Sequence, residues 1–180
     1  MKLKLRLTVA TIVIATTGLT GCKSNPKGPA TPAGPTPAVV SKNAGPLPAE
    51  GFKAEISLAD PPVKLRAGQV EVINVKVRNA SSVTWWQRGG EQSDRSDNTF
   101  YIAAGNRWLD NDGKPTSETE GHNGIPKDLK PGEETEMPLQ ITAPKTPGDW
   151  ILSLDMVQEG VAWFGDKGSP TTKVKVAVVK

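Results

Sequence analysis

One cysteine, one histidine and five tryptophans are the residues of this 180-residue chain on which chemistry could turn. A single cysteine, Cys22, excludes a disulfide framework and any multi-cysteine zinc site. The single histidine, His122, sits in Glu120-Gly121-His122-Asn123-Gly124, which reads as a mobile loop. A serine or threonine nucleophile therefore lacks a positioned base. Asp155 and Glu159 lie close along the chain, as a general acid/base pair of the glycosidase kind would require, but Asp155 falls on the polar face of a strand, where a solvated or cross-strand role is the ordinary one. Asp110 and Asp112 invite a calcium reading. An EF-hand loop needs glycine sixth and glutamate twelfth, whereas Gly113 is fourth counting from Asp110, so Asn111-Asp112-Gly113 reads as a hairpin turn. The expectation is a chain that is not an enzyme, with no cofactor, no metal and no small-molecule substrate.

Cys22 has another use. Lys2, Lys4 and Arg6 precede the apolar run Leu7-Thr8-Val9-Ala10-Thr11-Ile12-Val13-Ile14-Ala15, after which small residues follow. That is the order of a secretory signal, and the run is short for a membrane span of about 20 residues. Leu19-Thr20-Gly21-Cys22 then resembles the bacterial lipobox. The resemblance implies cleavage before Cys22 and diacylglycerol on its sulfur; the alternative is an ordinary signal peptide with an incidental cysteine. Several acyl chains on one residue give stable anchoring, at about 0.8 kcal/mol per buried CH₂. The expected place is the bacterial cell envelope, held to the membrane through Cys22. Lys23 is not the aspartate that keeps some lipoproteins at the inner membrane, which favours the outer one.

The formal charge of +3 is unevenly placed. Residues 50–180 hold 16 Lys and Arg against 19 Asp and Glu, a balance of −3. Nucleic-acid binding needs a basic face on the folded domain itself, and none is expected. Residues 23–49 contain seven prolines and no aromatic residue, the composition of a disordered linker. Fully extended, it would reach roughly 80 Å, and as a flexible coil about 30 Å. The expected organisation is a lipoprotein signal peptide over 1–21, the lipidated cysteine and Pro-rich linker over 22–49, and a folded domain over 50–180.

The elements that must position any surface residue are short alternating runs. Strands are expected at 54–58, 69–79, 134–142, 149–157 and 171–179, with 99–103 and 106–109 forming one broken strand or two. Within 69–79 the pattern Val70, Val72, then Ile73, Val75, Val77 slips phase once and predicts a bulge. No convincing 3.6-residue period is present. About seven strands joined by Pro/Gly turns predict an all-β, two-layer antiparallel β-sandwich. A closed barrel is disfavoured because residues 87–98 and 158–170 break the even hairpin spacing. Leu129-Lys130-Pro131-Gly132 predicts a tight turn with proline second.

The tryptophans lie in a recognisable series. Asn79-Ala80-Ser81-Ser82-Val83-Thr84-Trp85, Arg107-Trp108-Leu109-Asp110-Asn111-Asp112-Gly113 and Ile125-Pro126-Lys127-Asp128-Leu129-Lys130-Pro131-Gly132 come first. Ala143-Pro144-Lys145-Thr146-Pro147-Gly148-Asp149-Trp150 and Asp155-Met156-Val157-Gln158-Glu159-Gly160-Val161-Ala162-Trp163-Phe164 follow. Over residues 52–179 this series resembles the immunoglobulin-like domain that accompanies bacterial glycosyltransferases as an accessory module, and more distantly the four-tryptophan domain of autophagy receptors. The resemblance implies an immunoglobulin-like sandwich and a non-catalytic habit. Two departures stand out: residues 87–98 are longer and more charged than the pattern, and Gly105-Asn106 replaces the aromatic usual before Trp108.

Trp108 and Trp150 fall on apolar faces and are expected in the core. The connections after the second strand and before the last lie at one end of such a sandwich, which gathers Trp86, Arg88, Glu159, Trp163 and Phe164 there. Aromatic residues with arginine suit a binding face; they equally suit a cap over the core. The functional expectation is a membrane-anchored envelope lipoprotein whose domain is a binding module for a protein or glycan partner. The alternative is a structural spacer or surface-coat element without a specific ligand.

Overall fold

In each long strand, alternation of apolar and polar side chains decides which face turns inward. The computed structural model describes residues 45–87 and 99–180. Its strands are β1 (Ala54–Leu58), β2 (Lys64–Arg66), β3 (Val70–Asn79), β4 (Ile102–Leu109), β5 (His122–Gly124), β6 (Glu134–Thr142), β7 (Gly148–Gln158), β8 (Ala162–Trp163) and β9 (Thr172–Val179). They form two sheets, β1-β3-β6 and β2-β9-β7-β4-β5, with β8 added to β7. All pairs are antiparallel except β2 with β9. This is the strand order of an immunoglobulin-like β-sandwich. Cys22, the signal-like segment, residues 22–44 of the linker and Arg88 lie outside the described residues.

The long strands fall where alternation put them, and the count rises from about seven to nine through β2, β5 and β8, which are too short for a period to show. Two local expectations are corrected. β3 carries no bulge: its pairing with β6 runs unbroken from Val70↔Thr142 to Arg78↔Glu134. Val70 and Val72 are 55% and 57% exposed, and the inward face begins at Ile73; β-branched residues favour the strand on either face. β4 is one unbroken strand, paired with β7 from Ile102↔Gln158 to Leu109↔Ile151.

The core lies between the sheets. Val75 and Val77 of β3, Met137, Leu139 and Ile141 of β6, and Leu152, Leu154 and Met156 of β7 meet there with Trp108. Trp108 is buried and its Nε1–H donates to the Thr142 carbonyl at 2.8 Å. Trp150 is half-buried against the same core, with its Nε1–H on the Thr146 carbonyl. At one end of the sandwich, Trp85 bridges Leu129 and donates its Nε1–H to the Gly51 carbonyl at 2.9 Å. Phe164 sits edge-on to Trp85 and Phe52, ring centroids 5.2 and 5.0 Å away. Asn79 ties that end together: its amide donates to the Val83 and Leu129 carbonyls while its Oδ1 accepts from the Ser81 N–H and hydroxyl. The Lys130–Glu133 turn is as expected, with Gly132 at φ 81° where only glycine is at ease.

The smaller sheet has two outer strands, and groups on or beside the larger sheet meet both. Ser169 Oγ accepts the Ala54 N–H and Thr172 Oγ1 donates to the Ile56 carbonyl, on β1. On β6, Asn123 Nδ2 donates to the Pro138 carbonyl and Trp108 to that of Thr142. Gly121 approaches the Gln140 carbonyl so closely that a Cβ would overlap it. Pro138 itself has no N–H to leave unpaired, which is why proline is tolerated on an outer strand.

Candidate binding surfaces

The four described residues of the five gathered by sequence divide among three places in the structure. Phe164 is fully buried and caps the core between Trp85 and Phe52, so the binding role open to it falls away for lack of exposed surface. Glu159 and Trp163 lie on the outer face of the larger sheet. Trp86 lines a groove at the end of the sandwich. Arg88 is outside the described residues.

The outer-face cluster grows from β4, β5, β7 and β8. β8 pairs with the end of β7, Val157↔Trp163, and brings the indole over the sheet. There Gly105 makes the room: a Cβ at that position would stand 2.8 Å from Trp163 Cη2, 2.9 Å from its Cζ3 and 3.1 Å from the Gly121 carbonyl. The glycine at position 105 thus has a local cause. Arg107, next on the same face, stacks its guanidinium 4.1 Å from the indole centroid, a cation–π contact. It also forms a two-pronged pair with Asp166 at 3.1 and 3.2 Å and reaches Glu120 at 3.6 Å. His122 stands edge-on to Trp163, centroids 5.0 Å apart, with Nδ1 2.6 Å from Glu159 Oε1 and Nε2 3.7 Å from Glu120 Oε2.

His122 is therefore not in a mobile loop. It opens β5, which pairs with Gly105 to Ala103 of β4. Three residues flanked by glycine carry no periodic signal, and the spacing of charges around them was the only clue available. Sequence reasoning likewise missed Arg107 and Glu120 as cluster members, because cross-strand neighbours are separated by loops of any length.

Asp155 lies under the cluster, 4% exposed. Its carboxylate accepts the Gly165 N–H at 2.9 Å and the Met156 N–H at 2.7 Å. Burial pushes the carboxyl up to about 6; the two N–H groups and Arg107 pull against that rise, and Asp166 adds to it. Tyr101 is raised too, by burial first and then by the charge and hydrogen bond of Glu159. Both carboxylates of the suspected acid/base pair are thus held by named partners, Asp155 by backbone and Glu159 by His122 and Tyr101. Asp110 uses its Oδ1 on the Asp112 and Lys114 N–H groups, with Gly113 at φ 79°, which is the turn expected there. Among the described residues no group of three metal-ligating side chains converges.

The groove has a volume of about 340 Å³ and is lined by Pro46, Leu47, Trp86, Phe100, Ile102 and Gln158, among others. One wall is the chain's own approach to the domain. Gln158 Oε1 accepts the Leu47 N–H at 2.8 Å, and its Nε2 donates to the Gly45 carbonyl at 3.0 Å and to that of Phe100 at 3.1 Å. The folded head therefore takes in residues 45–49, which composition assigned to the linker. Half-burying Leu47 contributes about 1 to 1.5 kcal/mol, and the two amide bonds about 1 kcal/mol each. Ordering residues 45–48 costs about 1 kcal/mol per residue. The docking of this strap is balanced to within about 1 kcal/mol.

No family model and no curated relative matches the chain. Solved structures similar to it include a β-glucosidase from Listeria innocua, at 14% identity and TM-score 0.43, covering 71% of this chain and 16% of that one. The CARDB domain of a Pyrococcus furiosus protein is similar at 15% identity and TM-score 0.37, over 71% and 93%. Spo0M, a sporulation control protein of Bacillus subtilis, is similar at 16% identity and TM-score 0.41, over 71% and 49%. The chain thus spans about a sixth of the glucosidase and half of Spo0M.

Proposed function

We propose that this chain is a lipid-anchored protein of the bacterial envelope whose immunoglobulin-like head is a non-catalytic binding module for a protein or glycan partner, contacted through the face around Trp163. The N-terminal order of cations, apolar run and Leu19-Thr20-Gly21-Cys22 supports the anchor. Among the described residues no helix is long and apolar enough to cross a membrane. The observation that carries the binding reading is the seating of Trp163. The core is already closed by Trp85 and Phe164, yet β4 keeps a glycine in its interior, at a cost of about 0.5–1 kcal/mol relative to alanine, so that a second aromatic ring lies half-exposed among Arg107, His122, Glu120 and Glu159. Aromatic and arginine side chains set in a charged rim are the anchors that interfaces use.

Crosslinking in intact cells tests this directly. One dominant partner, lost with Trp163→Ala while the thermal transition of the head persists, is the expected outcome. A diffuse pattern unaltered by that substitution would leave the spacer reading in place. The anchor has its own test: Cys22→Ser is expected to move the protein from the membrane fraction to the soluble one.

A further inference from the structure

We propose that residues 70–74 of β3 are a docking edge for an extended segment of another protein, which joins the smaller sheet as a further strand. The pairing shows which backbone groups are open. The Ala143 N–H donates to the Gln69 carbonyl and the Gly132 N–H to that of Asn79, so the odd-numbered residues of β3 turn their backbone toward β6. The Ala80 N–H, on the Lys53 carbonyl, belongs to the even-numbered set, which turns toward β1. In an antiparallel pair the two sets alternate, and β3 holds one register with β6 from Val70 to Arg78. β1 covers β3 only from Asn79 to Val75. Among the described residues nothing meets the N–H and carbonyl that Val70, Val72 and Asn74 direct to that side.

The sequence explains why the edge is bare. Carrying the register on past Leu58↔Val75 would set Pro61 opposite Val72, and proline has no N–H to give. The chain crosses instead to the larger sheet, where Lys64–Arg66 pairs with β9. A groove of about 410 Å³ is left between the crossing and β3, lined by Pro62, Leu65 and Ile73 beside Asp60, Lys64 and Glu71. Proteins shorten, charge or cover the edges that would recruit another chain. Here β2 and β5 are three residues each, and β1 and β6 are met by side chains of the same molecule. Positions 70, 72 and 74 carry neither lysine nor proline, and both valines stand more than half exposed.

What the edge offers defines its occupant. N–H and carbonyl groups at alternate residues are matched by main chain in extended form, and five residues of strand cover about 17 Å. Side chains opposite Val70 and Val72 share their outward face, where β-branched partners pair well. Those in between turn into the groove, where Asp60 and Glu71 outnumber Lys64 and so favour a cation. The fitting segment alternates valine with lysine. This edge belongs to the smaller sheet, whereas Trp163 lies on the larger, and neither reading depends on the other.

A fluorescent peptide, Thr-Val-Lys-Val-Lys-Val-Thr, titrated into the full chain tests this by anisotropy and by amide hydrogen exchange. In the free chain the amides of Val70, Val72 and Asn74 are expected to exchange faster than those of Glu71 and Ile73, which β6 holds. The peptide is expected to slow the first set and leave the second unchanged. Val72→Pro removes an N–H that faces the groove and none that faces β6, so binding is expected to fall by about tenfold while circular dichroism and the melting transition persist. A peptide N-methylated at its valines repeats the test without a variant and is expected not to bind. No binding at millimolar peptide, binding indifferent to N-methylation, or even-numbered amides as slow as the odd ones in the free chain would each overturn the proposal. So would a dimer that excludes the peptide, which assigns the edge to a second copy.

Discussion

Replacing Asp155 with asparagine removes a buried charge while keeping the shape and the acceptor that holds the Gly165 N–H. The carboxyl stands at about 6 in the folded head against 3.8 in its ordinary state. A folded value above the unfolded one means the native state binds the proton more tightly. The stabilisation from that proton is complete below about pH 3.8, falls away as the pH rises through about 6, and is absent above. A shift of about 2 units corresponds to about 3 kcal/mol. Asp155 is almost wholly buried, so solvent screening takes little from that figure. Urea midpoints for the wild type and Asp155→Asn, taken between pH 3.5 and 7 at constant m, isolate the contribution, because every other titrating group cancels in the difference. The stability of the variant relative to wild type is expected to improve by about 3 kcal/mol across that range, with most of the change between pH 4 and 6. A difference constant to within about 0.5 kcal/mol would refute the assignment of an ionised, desolvated carboxylate beneath Trp163.

Three further predictions concern the packing. Gly105→Ala is expected to cost about 1–3 kcal/mol in chemical denaturation through overlap with the indole, and to cost markedly less in a Trp163→Ala background, a coupling that a double-mutant cycle reads. Trp85→Phe strands the Gly51 carbonyl and shrinks a fully buried side chain; the expected loss is about 2–4 kcal/mol by the same assay. Gly132→Ala forces a Cβ into left-handed backbone at φ 81°, and a drop of about 1–2 kcal/mol is expected from the melting curve.

Much of the fold was legible because side-chain period and turn chemistry are local. Met137, Leu139 and Ile141 declare β6 by themselves, and Pro131-Gly132 fixes the turn before it. The bulge expected in β3 is absent for a related reason: valine signals a strand whether or not it is buried, and Val70 and Val72 face water. The outer-face cluster was half legible. Glu159 and Trp163 announce themselves through the aromatic series, whereas Arg107 and His122 join them only through the β4–β5 and β7–β8 pairings, and no spacing in the chain encodes which strands become neighbours. Residues 45–49 were invisible as structure because their hold on the head depends on Gln158, more than a hundred residues away.

Three carbonyls on the outer strands of the β1-β3-β6 sheet, those of Ile56, Pro138 and Thr142, accept from Thr172, Asn123 and Trp108, and this bears on how the head meets other chains. Molecules crowded on one surface zip together most readily where bare backbone invites another chain to extend the sheet. Here each outer strand of the three-stranded layer already spends backbone groups on partners within the same molecule, which leaves a second chain less to pair with at those positions.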